Sequence, residues 1–417
     1  MKFNLFSRGL ILCSLMTGLS CSNDDDAVVN VPAPTGNFTV TIENVFETKA
    51  YFNNGTTGFI EPGMSESFSF DAGKGHYLSF ATMFVQSNDL FYAPGENGLA
   101  LYDGNGNALA GDVTSMIDLW DAGTEVNEEP GTGGNQPPRQ SGPDTGTDEN
   151  GTVALIGDVM DGFSYPGDED VLKVSITHDG GTRFTVTIEN RSGTSSLPTP
   201  LAPGVWVIHS SGQTPLFTGG DPASEGLEAV AEDGNNAVLE SELAENSGYV
   251  SPFAPGSYGI NDAVFTSGEV ASNALESLAE DGNPSGFELV FNTPVGGGSP
   301  GPVFPGSSYS FDFSATEGDI LSFATMLVQS NDWFVGADDI ELFNNGTPIS
   351  GDITSMVRLY DGGTETDEYA GAGNNQPVRQ TGPNTGADED GVIENETNPG
   401  SHVPEVSGMV RVTIDVN

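Results

Sequence analysis

Apolar and polar residues alternate along this chain in short runs. FTVTIEN (38–44), VWVIH (205–209), YSFDF (309–313) and VRVTID (410–415) carry β-branched or aromatic residues at the apolar positions. A period of two buries one face of an extended segment, so these runs predict strands. Frequent Gly, Asn and Asp between them supply turns. One unit breaks the pattern. In ASEGLEAVAEDGN (223–235), Leu227, Val230 and Ala231 recur at helical spacing, Ser224 can cap the first turn, Glu228 and Glu232 follow, and Gly234 can stop the helix. The unit returns as ASNALESLAEDGN (271–283), which predicts a second short helix. Many short strands, long polar loops and a few short helices predict an all-β fold of antiparallel β-sandwiches.

Internal repetition sets the domain organisation. NFTVTIENV (37–45) recurs as RFTVTIENR (183–191), and SESFSFDAGKGHYLSFATMFVQSND (65–89) as SYSFDFSATEGDILSFATMLVQSND (308–332). The segment 115–146 recurs as 355–386, and VLKVSIT (171–177) matches MVRVTID (409–415). Read in chain order, these define tandem modules at 37–180 and 183–417. The second holds a long additional block before its SYSF segment, where the first has only residues 46–64. The first module therefore reads as a truncated copy.

Composition changes the expected partners. The 417 residues include 60 Asp+Glu against 11 Lys+Arg, a formal net charge of −49. Hydrophobic residues at 36%, with 24 Phe, exclude a disordered polyacid. So one-sided a charge excludes nucleic acid and anionic lipid headgroups as direct partners. Cations are its natural counterpart.

The N-terminus reads as an address. Lys2 and Arg8 precede the short apolar stretch LILCSLM, as in a secretory signal spanning residues 1–20. Cys21 follows Gly18-Leu19-Ser20, a resemblance to a bacterial lipobox, and Ser22-Asn23-Asp24-Asp25-Asp26 resembles the acidic export tag of surface lipoproteins. Residues 21–36 then form an acidic, Pro-containing tether, with Cys21 the expected lipidation site. The implied localisation is an outer-membrane lipoprotein exposed at the cell surface, touching the membrane only through its lipid. The other cysteine, Cys13, lies inside the signal, so the mature chain has no disulfide and bound metal becomes a candidate staple.

The repeats agree best around their acids. Asp89 and Asp332 end the two VQSND runs, and DAGTE (121–125) and DGGTE (361–365) place two carboxylates four positions apart around small residues. Ca²⁺ takes six to eight oxygen ligands from carboxylates, carbonyls and water. In so acidic a chain the D-x-x-x-E spacing alone is unspecific, but its duplication in matching surroundings points to metal. Asp89, Asp121 and Glu125, with Asp332, Asp361 and Glu365, are therefore the expected Ca²⁺ ligands. DTGTDENG (144–151) and NTGADEDG (384–391) fail the calcium-loop pattern at Gly146 and Gly386 and read as turn-rich loops. Arg139 and Arg379 are expected to pair with local carboxylates.

With these residues in place a family resemblance emerges. SNDWFVGADDIELF…RLYDGGTE (331–365) is similar to the SPDWFVG and DAGTD signatures of the spondin amino-terminal domain of F-spondin and mindin, and LAPGVWVIHSSGQTPLFTGGDPASEGLEAVAEDGN (201–235) resembles that domain's opening half. The resemblance implies a C2-like β-sandwich that binds calcium, with Asp332, Asp361 and Glu365 at the family's ligand positions. Module 1 matches only the latter half, at Asp89, Asp121 and Glu125, with Leu90 in place of the family's Trp.

Catalytic signals are sparse. His76, His178, His209 and His402 show no metal-ligand spacing, and His209 reads as structural. The G-x-S-x-G at 297–301 has Pro300 after the serine, which cannot donate the N–H that an oxyanion requires. The expected function is non-catalytic: a calcium-binding surface lipoprotein for adhesion or recognition of an extracellular protein or polysaccharide. Alternatives are a polysaccharide-binding protein of a glycan-uptake system, which exposed aromatics such as Trp120, Trp206 or Trp333 would favour, or a hydrolase built on the acidic loops.

Overall fold

The computed structural model describes residues 32–137 and 139–417. The signal, Cys21 and the acidic tag lie outside the described residues. Among the described residues, no helix is long and apolar enough to cross a membrane.

The chain builds two β-sandwiches of the same design. In one, a four-stranded antiparallel sheet orders Ser65–Asp71, Arg183–Asn190, Leu172–Gly180 and Gly111–Asp112. It faces a larger sheet ordered Asn53–Thr56, Val205–Ser210, His76–Met83, Leu90–Pro94, Ile117–Asp121 and Ala154–Leu155. In the other, Ser308–Thr316, Thr35–Asn44, Val410–Val416 and Gly351–Asp352 face Val290–Phe291, Gly256–Ile260, Ile320–Met326, Trp333–Glu341, Arg358–Asp361 and Glu394–Asn395. The alternation read from the sequence is the inward face. Phe38, Val40 and Ile42 oppose Phe313, Phe311 and Tyr309 in register, and Phe184 and Val186 oppose Phe70 and Phe68.

This pairing corrects the expected domain boundaries. Strand Thr35–Asn44 belongs to the second sandwich, between Ser308–Thr316 and Val410–Val416, whereas Arg183–Asn190 belongs to the first. Val205–Ser210 also joins the first, pairing with Asn53–Thr56 and His76–Met83. The first sandwich is thus complete rather than truncated, and it sits in the chain between the first strand of the second sandwich and the rest of it. Connectivity explains the choice. Only Gly181 and Thr182 separate Leu172–Gly180 from Arg183–Asn190, and so short a link makes the two strands a hairpin. Val410–Val416, the counterpart of Leu172–Gly180, pairs instead with the copy at residues 35–44. Buried Asn44 and Asn190 lock each strand into its own sandwich. Asn44 donates from Nδ2 to the carbonyls of Ser251 and Val303, and Asn190 to those of Ile60 and Thr199.

Both predicted helices form, at Glu225–Asp233 and Asn273–Asp281. Ser224 and Ser272 accept the N–H of Leu227 and Leu275, and Gly234 and Gly282 end the helices in the left-handed conformation. Each covers the outer face of a larger sheet. Leu227, Val230 and Ala231 pack with Phe91 and Val205, and Leu275, Leu278 and Ala279 with Met326 and Phe334. A further helix, Ala237–Asn246, joins the first of these layers through Leu239 and Leu243.

Candidate metal centres

Each VQSND run is a device that places its aspartate. Ser87 donates its hydroxyl to the Phe84 carbonyl and accepts the Leu90 N–H, closing the turn between two strands. Asn88 donates to the Val126 carbonyl and accepts the Glu128 N–H, which ties the acidic loop alongside. Ser330 and Asn331 repeat these bonds with Leu327, Trp333, Thr366 and Glu368. Asp89 and Asp332 are left pointing into the loop, fully buried. Their Oδ2 atoms accept the N–H groups of Thr124 and Glu125, at 3.0 and 3.1 Å, and of Thr364 and Glu365, at 3.0 and 3.2 Å. Their Oδ1 atoms are buried with no hydrogen-bond partner.

Strand register delivers the next acid. Leu90 opposes Asp121, and Trp333 opposes Asp361, so each aspartate that ends a strand stands beside the buried one. The loop turns back at once because Asp121 and Asp361 accept the N–H of Gly123 and Gly363, both at positive φ. A Cβ at Gly123 would come within 2.6 Å of the Thr152 backbone.

The carboxylates that converge are not quite the expected sets. Oxygens of Asp89, Asp121 and Glu149 lie within 4.8 Å of one another, as do those of Asp332, Asp361 and Asp367. Glu125 converges instead with Asp144 and Glu232. Glu365 likewise turns away, its Oε1 accepting the Gly386 N–H at 2.8 Å just as Glu125 Oε1 accepts that of Gly146. These two glycines, which spoiled the calcium-loop pattern, are required here: a Cβ would lie 2.0 Å from the Glu125 carboxylate and 2.2 Å from that of Glu365. The loops expected to be mere turns therefore supply Asp144 and Glu149. Asp367 was missed because its counterpart is Asn127, which donates to Asp121 in the first sandwich. Glu232 was read only as part of a helix, although its duplication as Glu280 was visible.

Electrostatics are adverse throughout. Burial, followed by the charge of Asp361, pushes the Asp332 carboxyl up to about 8. The same two causes raise Asp367 to about 6. Asp89 is driven well above the carboxylate range by burial and then by Asp121, and burial raises Asp121 as well. Two full charges 4.8 Å apart repel by roughly 3 kcal/mol at an effective dielectric near 20. Among the described residues, the ion pairs involve none of these acids. The expected arginine pairing is also corrected. Arg139 and Arg379 donate to carbonyl oxygens, chiefly the amides of Gln86 and Gln136 and of Gln329 and Gln376. Planar amides and free backbone carbonyls meet the guanidinium there, and Arg379 also reaches His76 across the two sandwiches, at 3.2 Å.

Hard oxygen donors, a partnerless buried oxygen and uncompensated negative charge are what a divalent cation would complete. The sandwich that presents Asp332, Asp361 and Asp367 is also the one that a family model matches. Residues 250–387 match the Spondin_N family model. The match supports placing this part of the chain in the spondin amino-terminal domain family. It begins at Val250, past the segment 201–235, in keeping with the sheet pairing that gives that segment to the first sandwich. No curated protein matches the chain.

The residues weighed for other chemistry have structural surroundings. His209 is buried, its Nε2 2.9 Å from the Ser79 hydroxyl and its Nδ1 2.9 Å from the Ser210 carbonyl. Trp120, Trp206 and Trp333 are all buried, and Trp333 donates its ring N–H to Asp367 at 2.8 Å. None of the three offers an exposed face for stacking on a sugar.

Proposed function

We propose that this protein is a calcium-binding, non-catalytic recognition protein built from two spondin-type sandwiches and held at the cell surface by lipid on Cys21. The reading is carried by the partnerless buried oxygens Asp89 Oδ1 and Asp332 Oδ1, on side chains that each converge with a second and third carboxylate. Asp89 and Asp121, and Asp332 with Asp361 and Asp367, would hold Ca²⁺, with Glu149 completing the first set. The ion would neutralise each cluster and fix the loops around it, at one end of each sandwich. A stiffened loop surface loses less entropy when it engages a partner, which suits adhesion or ligand recognition. That both sandwiches share one sheet order supports treating the first as the same kind of domain. Thermal unfolding of the chain lacking its signal tests the reading. Millimolar Ca²⁺ should raise the midpoint, and Asp121→Ala with Asp361→Ala should reduce that rise; an unchanged midpoint in the wild type refutes it.

A further inference from the structure

We propose that the first sandwich carries a second calcium site, made by Glu125, Asp144 and Glu232 and separate from the Asp89–Asp121 centre. One oxygen from each residue lies within 4.8 Å of the others. Crowded acids alone would not argue for a ligand, but two of these three are withdrawn from solvent. Glu125 is 3% exposed and Glu232 is 4% exposed. Glu125 Oε1 is occupied by the Gly146 N–H, while Oε2, equally buried, has no hydrogen-bond partner. That is a carboxylate held by one oxygen, with the other unsatisfied, in a group of three acids.

Glu232 adds a second unfavourable element. It lies in the last turn of Glu225–Asp233, where the helix dipole already presents negative charge. A cation between the three acids would offset both effects. A cavity of about 280 Å³ opens beside them, lined by Thr124, Asp144, Asp148, Glu228 and Glu232 among others. It gives an ion a way in and room for bound water. Three carboxylates, the Thr124 hydroxyl and a few waters reach the six to eight oxygens that Ca²⁺ takes. The ligands come from the acidic loop, the 144–151 loop and the covering helix, so an ion there would clamp the helix to the loops.

The second sandwich keeps the arrangement with one charge fewer. Glu365 Oε2 and Glu280 Oε2 are both buried and partnerless, but Asn384 stands where the first sandwich has Asp144. Its site should be the weaker of the two, since affinity in such sites follows the number of charged ligands.

The choice of ion rests on the proposed calcium function, but the site itself does not use the Asp89–Asp121 centre. Calcium titration calorimetry on the chain lacking its signal, with Glu232→Gln, Asp144→Asn and Asp89→Asn made separately, tests it. Glu232→Gln should lower the bound stoichiometry by one ion, or weaken one class of site at least about tenfold, and leave the ion lost in Asp89→Asn in place. Asp144→Asn, on a surface loop, should weaken the same class even if the helix variant folds poorly. The proposal is overturned if both variants bind as the wild type does, or if either one removes the ion held by Asp89. Failure of the calcium function itself looks different: the wild type then binds no ion.

Discussion

Replacing Asp332 by Asn should stabilise the calcium-free protein. Asp332 is fully buried, and its folded-state carboxyl is raised from 3.8 to about 8. A carboxyl so raised keeps its proton on folding, whereas the unfolded chain has lost it. The resulting cost is absent below about pH 4, grows as pH rises, and levels off above about pH 8. At pH 7 it amounts to about 4 kcal/mol. Asparagine avoids it. The amide oxygen can still accept the N–H groups of Thr364 and Glu365, while its NH₂ takes the place of the partnerless Oδ1 and donates toward Asp361 and Asp367. For a domain of this size such a change raises the midpoint by on the order of 10 °C. Calcium should close most of this gap, because the wild type gains about 3 kcal/mol at a hundredfold excess over its dissociation constant and the variant does not gain it at this site. The assay is paired thermal unfolding of both proteins in chelator and in calcium, at pH 5, 7 and 8.5. A variant less stable than wild type in chelator at pH 7, or one that keeps the full calcium shift, refutes the account of this site.

Two further outcomes follow from the architecture. A chain that starts at Val45 lacks the strand Thr35–Asn44, so it should lose the second sandwich and keep the first. Hydrogen exchange would then show residues 308–316 and 410–416 unprotected while 65–71 and 172–190 stay protected; the opposite pattern would restore the tandem boundaries. Acid should weaken the contact between the sandwiches, because burial and then the neighbouring Arg379 hold His76 down to about 3. Its neutral form is fully stabilising above pH 6.5 and loses that contribution as pH falls, about 3 kcal/mol by pH 4. His76→Gln should flatten this acid limb in denaturant titrations, and an unchanged slope would show that His76 does not control it.

The strands, the two capped helices and the sandwich class were legible because each rests on local pattern. Alternation at 38–44 and 184–190 is the buried face of those strands, and Ser224 and Gly234 cap the helix they were read to cap. What could not be read was which sandwich each strand enters. The two FTVTIEN segments are identical, so neither carries a preference for its neighbours. The decision falls to the two-residue link at Gly181-Thr182, a feature of connectivity rather than of composition. Repeat alignment compares segments in chain order, and it therefore turned an interleaved pair into a full and a shortened module.

The candidate centres show the same limit at the scale of side chains. Asp89, Asp121, Asp332 and Asp361 were found because strand register brings together acids that are also duplicated in sequence. Glu125 and Glu365 were placed with them on spacing, but a glutamate reaches one methylene further than an aspartate. That extra length carries the carboxylate past the first cluster to the N–H of Gly146 or Gly386. Glycine at those positions then makes sense as clearance for the glutamate, and the apparent defect in the calcium-loop pattern marks the turn against which the second cluster is built. Only an aspartate at 125 would test whether one merged centre is available to this scaffold. If chain length is what separates the clusters, Glu125→Asp should lose one ion and tighten the other, since the shorter acid falls back toward Asp89 and Asp121.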